Sequence, residues 1–329
     1  MNFQYLKKIE RSQAILDIAF NSAKKSAEIE WDAKKRYNKI TRLKHSEVKR
    51  VNASKRIILK RLDSVVEQFP IIDNLPEIYE ELIKNSIDFE KYKKSIHSVR
   101  WASEKIENLG KEAEKDIKRS EAQNEITSAR KAFYARASSI LKRIDKYLQF
   151  LEETRKTLKR LPDLKEDYFT VAIAGFPNVG KSSILKGLTL SSPEIAEYPF
   201  TTKGLNVGLI KDEKLQFVDV PGTLNRKKAN IIEKNAHIII KNADLVLFVI
   251  DPSGYSGYNI ENQLKLLEKI EKNKLVILNK CDLADKKTVH ELTAKFNAEK
   301  ISALENKGID KLKKIILNEK NKRLELSSF

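Results

Sequence analysis

Residues 169–183 read FTVAIAGFPNVGKSS. An apolar run breaks at Gly175 into a nine-residue turn, with Gly175, Gly180, Lys181 and Ser182 at the spacing of a phosphate-binding loop between a strand and a helix. Glycines at this spacing let the backbone curl, so that successive amides and the following helix N-terminus face phosphate oxygens. Gly175, Phe176, Pro177, Asn178, Val179, Gly180, Lys181, Ser182 and Ser183 are therefore expected to cradle a nucleotide. Lys181 supplies charge at the β and γ phosphates, and the Ser182 hydroxyl is a ligand for Mg²⁺. This loop alone does not separate ATP from GTP.

Downstream, further short apolar runs follow: GLNVGLI, LQFVDV, DLVLFVI and KLVILNK, spaced by segments able to form helices or loops. Such alternation predicts a mostly parallel sheet covered by helices. Asp219-Val220-Pro221-Gly222 ends one run, 44 residues (219−175) after the loop begins. A carboxylate there can hold Mg²⁺ through water, and the Gly222 amide can sense a γ-phosphate. Asn279-Lys280-Cys281-Asp282 ends another run and selects the base. An ionised Asp282 accepts from both N1–H and the exocyclic amine of guanine, whereas adenine's unprotonated N1 would face it unfavourably. That favours GTP over ATP. Lys280 can cover the base plane, Asn279 can brace the loop, and Cys281 reads as packing. Ser302-Ala303-Leu304 is placed to offer a backbone amide to guanine O6. Between phosphate loop and Asp219, the segment Tyr198–Gly204 holds Thr201 and Thr202; Thr202, with Thr201 second, is expected to bind Mg²⁺ and the γ-phosphate and to order only with GTP.

The first half has a different grammar. Of ten glycines only Gly110 precedes residue 169, and the composition is rich in Lys, Glu, Ala, Ile and Leu, as long helices require. Ile126, Ala129, Phe133, Ala137, Ile140, Ile144, Leu148 and Leu151 form one helical stripe, and Ile96, Val99, Ala102, Ile106 and Leu109 a second. Pro70 and Pro76 frame a turn before a helix starting near Glu77. The fold class is therefore an N-terminal helical bundle, residues 1–165, followed by an α/β phosphate-loop domain, residues 166–329.

At 329 residues and 37.9 kDa the chain has room for about two domains. No apolar run approaches a membrane span and the opening lacks a secretory leader's apolar stretch, so no membrane partner and a cytoplasmic location are expected. The single cysteine excludes an internal disulfide framework, and four dispersed histidines offer no metal cluster. The net charge of +18 favours polyanionic partners. Residues 1–168 carry 38 basic and 27 acidic side chains, or +11, and residues 24–61 alone hold 14 and 4, or +10. The twelve cations Lys34, Lys35, Arg36, Lys39, Arg42, Lys44, Lys49, Arg50, Lys55, Arg56, Lys60 and Arg61 face only Glu47 in that stretch. With Tyr37, Ile40, Val48, Val51, Ile58, Leu62 and Val65 as the bundle-facing stripe, the basic side would point outward. That surface suits A-form RNA, read by phosphate and shape. Trp31 and Trp101 read as core.

The motifs GFPNVGKSS, YPFTTKGLNVG, DVPG and NKCD resemble the Obg-related GTPases. Together with NIIEKNAHIIIKNADLVLFVIDPSGYSGY, LPEIYEELIKNSIDFEKYKKSIHSVRWA and FLEETRKTLKRLP, they are similar to the nucleolar GTP-binding protein 1 family over essentially the whole chain, in a short archaeal-type form without the long C-terminal extension. The resemblance implies a GTPase using GTP/GDP and Mg²⁺ that joins the maturing large ribosomal subunit, with the helical domain against its rRNA, ribosomal or assembly proteins nearby, and a monomer off the ribosome. It also implies Lys181 and Thr202 as catalytic groups, and Asn178 either as a K⁺ ligand beside the phosphates or as a loop brace. Thr223 stands where Ras-like enzymes carry a water-orienting glutamine, which implies slow intrinsic hydrolysis. Two alternatives share the site: a GTP-gated RNA scaffold with negligible turnover, and an Obg-like translation regulator on mature ribosomes.

Overall fold

A computed structural model describes residues 3–189, 195–198, 205–222 and 231–326. It divides into two compact units, one formed by Gln4–Leu75 and Ile87–Lys159, the other including Pro76–Ser86 and everything from Arg160.

The first unit is helical: α1 (Ser12–Ala33), α2 (Lys39–Gln68), α4 (Phe89–Arg119) and α5 (Gln123–Leu158) pack side by side, α1 on α2, α2 on α4 and α4 on α5. Ile15 and Ala19 from α1, Ile58 and Leu62 from α2, Val99 and Ile106 from α4, and Ile126, Phe133 and Ile144 from α5 are all buried. The α5 stripe differs from expectation at two positions, Ala129 and Ile140, both half-buried. Leu141, not Ile140, is the buried residue between Ala137 and Ile144, which keeps the four-residue step from Ala137 as the 36-residue helix drifts against a fixed pattern. Asn38 caps α2 by accepting from Thr41 N at 2.8 Å, and Asp88 caps α4 by accepting from Lys91 N at 2.9 Å. Helix α1 lacks a cap of its own, and Asp145 of α5 takes that role, accepting from Ser12 N at 2.8 Å while pairing with Arg11. Gly110 is buried in α4, where a Cβ would lie 2.4 Å from the Lys55 stem.

In the second unit the order along the sheet is β2 (Ile195–Tyr198), β3 (Leu205–Ile210), β4 (Leu215–Asp219), β1 (Phe169–Ala174), β5 (Leu245–Ile250), β6 (Lys274–Leu278), β7 (Glu299–Lys300). From β4 to β7 neighbours are parallel; β2–β3 and β3–β4 are antiparallel. Strands β1, β4 and β5 are buried almost end to end, as an apolar strand covered on both faces must be. The covering helices are α6 (Lys181–Thr189), α7 (Ile231–Asn242), α8 (Ile260–Glu268), α9 (Lys286–Phe296) and α10 (Ile309–Leu326). The phosphate loop sits at the C-terminal end of β1, between β4 and β5, where ligands bind in open α/β sheets.

Helix α3 (Glu77–Ser86) groups with this unit rather than with the bundle, so the compact units do not follow a cut at 165/166. The reason is side-chain pairing with α7: Asn85 Nδ2 donates to Asn235 Oδ1 at 2.7 Å, and Lys241 pairs with Glu81 at 2.6 Å. Tyr79, fully buried, accepts from Leu164 N at 2.7 Å and donates to Pro162 O at 2.9 Å. No helix among the described residues is long and apolar enough to cross a membrane.

Candidate nucleotide site

The turn after β1 carries three residues at positive φ: Gly175 (145°), Asn178 (61°) and Gly180 (100°). At Gly180 a Cβ would come within 2.1 Å of Asn279 Nδ2, so only glycine admits the base-recognition loop this close. Lys181 is 8% exposed and donates to Phe176 O at 2.8 Å, which curls its ammonium back over the turn. Phe176 and Val179 are buried; Asn178, Ser182 and Ser183 are exposed and Pro177 half-buried.

At the end of β4, Asp219 is buried and accepts from Ser182 Oγ at 2.5 Å and from Asn206 Nδ2 at 3.3 Å. Burial pushes its carboxyl up from the ordinary range, against the opposing hydrogen bond from Ser182, the charge of Lys181 and the hydrogen bond from Asn206. Two hard oxygen donors thus meet beneath the phosphate loop, the donor set Mg²⁺ prefers, and the residues fit that ion. Gly222 brings the loop after β4 against the phosphate loop: a Cβ there would stand 2.5 Å from Pro177 N and 2.9 Å from Lys181 Nζ. Thr201, Thr202 and Thr223 lie outside the described residues.

The base-recognition loop follows β6. Asn279 is 2% exposed; its Nδ2 donates to Val179 O at 2.8 Å and its Oδ1 accepts from Ala303 N at 3.0 Å. One side chain therefore joins phosphate loop, base loop and the Ser302–Leu304 segment. Of the Ser302–Leu304 backbone amides, one of which was expected to meet guanine O6, that of Ala303 is given to Asn279. Ser302 is buried and pairs through its backbone with Lys307, while Leu304 is 91% exposed. Asp282 is exposed at the loop's end. Cys281 is half-buried with Sγ 3.2 Å from Leu278 O, and burial pushes its thiol up, in line with a packing role.

Two contributors were not anticipated, Asp251 and Asn206. Lys280, at φ 61°, pairs through Nζ with Asp251 Oδ2 at 2.8 Å. Asp251 is fully buried and also accepts from Ser253 N at 2.9 Å and Ser256 N at 2.8 Å. Burial pushes its carboxyl up, but the hydrogen bonds from Lys280 and Ser253 outweigh that and hold it low. The signal was the sequence DPSGYSGY directly after β5, a strand end beside the base loop. Tyr258 in the same segment packs on Phe176, ring centroids 4.6 Å apart. The second contributor is Asn206, opposite Asp219 in the β3–β4 register.

Within the helical unit, the basic face is purer than its sequence. Glu47, the one acid between Lys34 and Arg61, is 5% exposed and turned to Arg130 of α5 at 2.7 Å and Arg50 at 3.1 Å. Of the twelve candidate cations, Lys35, Arg36, Lys39, Lys49, Arg56, Lys60 and Arg61 are exposed. Lys34, Arg42, Lys44, Arg50 and Lys55 are half-buried. Arg42 stacks 3.9 Å above the Trp31 ring, and Lys44 donates to Lys118 O at 3.0 Å. Tyr37, expected on the bundle-facing stripe, is instead 51% exposed, because α2 begins only at Lys39 and leaves Tyr37 in the preceding turn. Trp31 and Trp101 are half-buried, each under an arginine, rather than fully in the core.

Sheet order, phosphate loop, Ser182–Asp219 pair and Asn279 clamp define a phosphate-loop GTPase domain. Residues 170–280 match a family model described as a 50S ribosome-binding GTPase, and residues 3–165 match the NOG1 N-terminal helical domain. An uncharacterized protein of Methanocaldococcus jannaschii is 39% identical over 240 residues, covering 71% of this chain and 68% of its own. Nucleolar GTP-binding protein 1 of Encephalitozoon cuniculi is 28% identical over 327 residues, 95% of this chain and 61% of that protein. The Drosophila melanogaster protein of that name is 31% identical over 255 residues, 74% and 39% respectively. The chain belongs to the nucleolar GTP-binding protein 1 family. It spans 61% and 39% of the length of those two named relatives.

Proposed function

We propose that this chain binds and hydrolyses GTP as an assembly factor of the maturing large ribosomal subunit, docking to rRNA through the exposed basic face of α2. The observation that carries the nucleotide half is the single site in which Lys181, the Ser182–Asp219 pair and Asn279 converge on the phosphate loop. Ser182 and Thr202, with Asp219 through water, would hold Mg²⁺, which would supply charge neutralisation at the phosphates. Lys181 and the loop amides hold the phosphates and take up the charge that grows as the terminal bond loosens. Asp282 accepts from guanine, and Asn279 keeps base and phosphate ends in register. Asn178 is assigned to K⁺ beside the phosphates. With Thr223 in the glutamine position, unaided hydrolysis is slow, and the subunit positions the water. The protein acts in the cytoplasm, as a monomer off the ribosome.

Docking rests on charge. Seven exposed cations and no exposed acid between Lys34 and Arg61 match a polyphosphate surface. Large-subunit rRNA binding should fall ~10³- to 10⁵-fold between 50 and 200 mM salt, as for six to ten phosphate contacts. Reversing the charge of the seven exposed residues should remove most of that affinity and flatten the slope. Unchanged binding and slope would end the RNA assignment and leave a GTPase with another cargo.

A further inference from the structure

The exposed Tyr37 breaks an otherwise regular pattern. It occupies the turn between α1 and α2, with Lys34, Lys35, Arg36 and Lys39 around it. Large exposed apolar side chains on a soluble surface are ordinary when scattered. An exposed aromatic ring inside a run of cations is different, because a nucleic acid offers both a π-face and a phosphate for such a pair.

The ring is presented rather than loose. Asn38 caps α2 immediately after it, and Tyr37 N donates to Lys34 O at 3.1 Å. Arg42 locks the base of the turn by stacking on Trp31 and donating to Trp31 O at 2.6 Å. Beside the ring stand Lys34 Nζ, 5.3 Å from its centroid, and the His45 imidazole, 5.6 Å away and tilted by 52°. About half of the side chain still faces solvent, being 51% exposed. A duplex keeps its base faces stacked on one another, so a protruding ring of this kind finds a partner only where a base is unpaired.

We propose that the Lys34–Lys39 turn is a stacking platform for one unpaired RNA base, with Tyr37 taking the base face and Lys35, Arg36 and Lys39 the flanking phosphates. The inference rests on the RNA-docking reading above and adds to it. The helix α2 tracks backbone by charge alone, whereas the turn reports a structural feature, a splayed nucleotide, and so sets where along an rRNA the basic face comes to rest. An acidic protein segment is the less suitable partner, since a nucleotide offers a π-face for Tyr37 and phosphates for the exposed Lys35, Arg36 and Lys39 together, whereas an acidic side chain offers charge alone.

The test uses the full chain between 50 and 200 mM salt with three probes: a 12-nucleotide single strand bearing one 2-aminopurine, its blunt duplex, and polyglutamate. Tyr37→Ala should weaken the single strand about 5- to 150-fold, the range of one base–aromatic stack, without changing the salt slope. Duplex affinity should stay within about twofold, because backbone contacts are untouched. Wild type and Tyr37→Phe should quench 2-aminopurine, and Tyr37→Ala should not. Equal single-strand affinity and equal quenching in Tyr37→Ala would overturn the platform while leaving RNA docking intact. Undiminished binding of both RNAs by the triple variant Lys35→Glu, Arg36→Glu, Lys39→Glu would instead remove the turn from RNA docking. Tighter binding to polyglutamate than to either RNA, lost in Tyr37→Ala, would show a protein-facing turn and also overturn the proposal.

Discussion

Replacing Asn279 by alanine should loosen three loops at once. Its Nδ2 is the donor to Val179 O at 2.8 Å, and Val179 is fully buried, so the carbonyl would be stranded away from water. A buried acceptor left without its donor costs ~1–3 kcal/mol. The Ala303 amide, bonded at 3.0 Å to Asn279 Oδ1, is only half-buried and loses about 0.5–1.5 kcal/mol, since water can partly replace the acceptor. The sum is roughly 1.5–4.5 kcal/mol. A guanine nucleotide bound as proposed would hold the same loops together, so part of this energy would be recovered on binding and part lost as affinity. A full transfer would be about 13- to 2,000-fold, and we expect at least ~10-fold for both GTP and GDP. Asn279→Asp is the sharper variant. It keeps an acceptor for Ala303 but turns a carboxylate oxygen toward Val179 O, so it should be no better than alanine despite its shape. Titration with a fluorescent GDP analogue, alongside a thermal melt to establish folding, gives the numbers. A folded Asn279→Ala that binds within threefold of wild type would refute the clamp.

Gly222→Ala should push the loop after β4 off the phosphate loop, because its Cβ would meet backbone at 2.5 and 2.7 Å; the preference for GTP over GDP should shrink about 10-fold, and an unchanged ratio in paired titrations would contradict it. Asp251→Ala should free Lys280 and lower guanine nucleotide affinity, and it should add little to Lys280→Ala, so additive losses in that double-mutant cycle would deny the coupling. For Asp145, the Arg11 pairing and the Ser12 amide hold the carboxyl down at about 2. A lowered carboxyl contributes stability that is present above its ordinary value near 3.8 and is lost as pH falls toward 2. The exposed Arg11 reduces the effect by screening, so Asp145→Asn should cost the first turn of α1 ~1 kcal/mol at pH 7 and progressively less as the pH falls through 2; amide exchange at α1 that differs equally at pH 7 and at pH 2 would be the contrary result.

What was legible in the sequence was what chemistry requires to be contiguous. Phosphate loop, DVPG and NKCD are each a run of adjacent residues at the spacing that one part of a nucleotide asks for, so spacing alone located them. The partners that hold those motifs in place were hidden because they are distant in sequence. Asp251 reaches Lys280 only because β5 and β6 pair with Ile250 opposite Leu278, which puts the next residues of each strand side by side. Asn206 reaches Asp219 through an antiparallel register. In the bundle, the inward turn of Glu47 needed Arg130 on another helix, and helix α3 was visible as a helix while its packing on α7, about 150 residues away, was not. Tyr37 fits a helical period on paper, yet Asn38 starts the helix after it.

The central claim is a GTPase cycle tied to the large subunit. GTP turnover should be measured in K⁺ and in Na⁺, with and without large-subunit particles, using Lys181→Ala as the blank. Slow turnover that rises with particles, and further in K⁺ through Asn178, is the expected result. Tight GTP binding with no turnover above the blank in any condition would contradict it and leave the chain a GTP-gated scaffold.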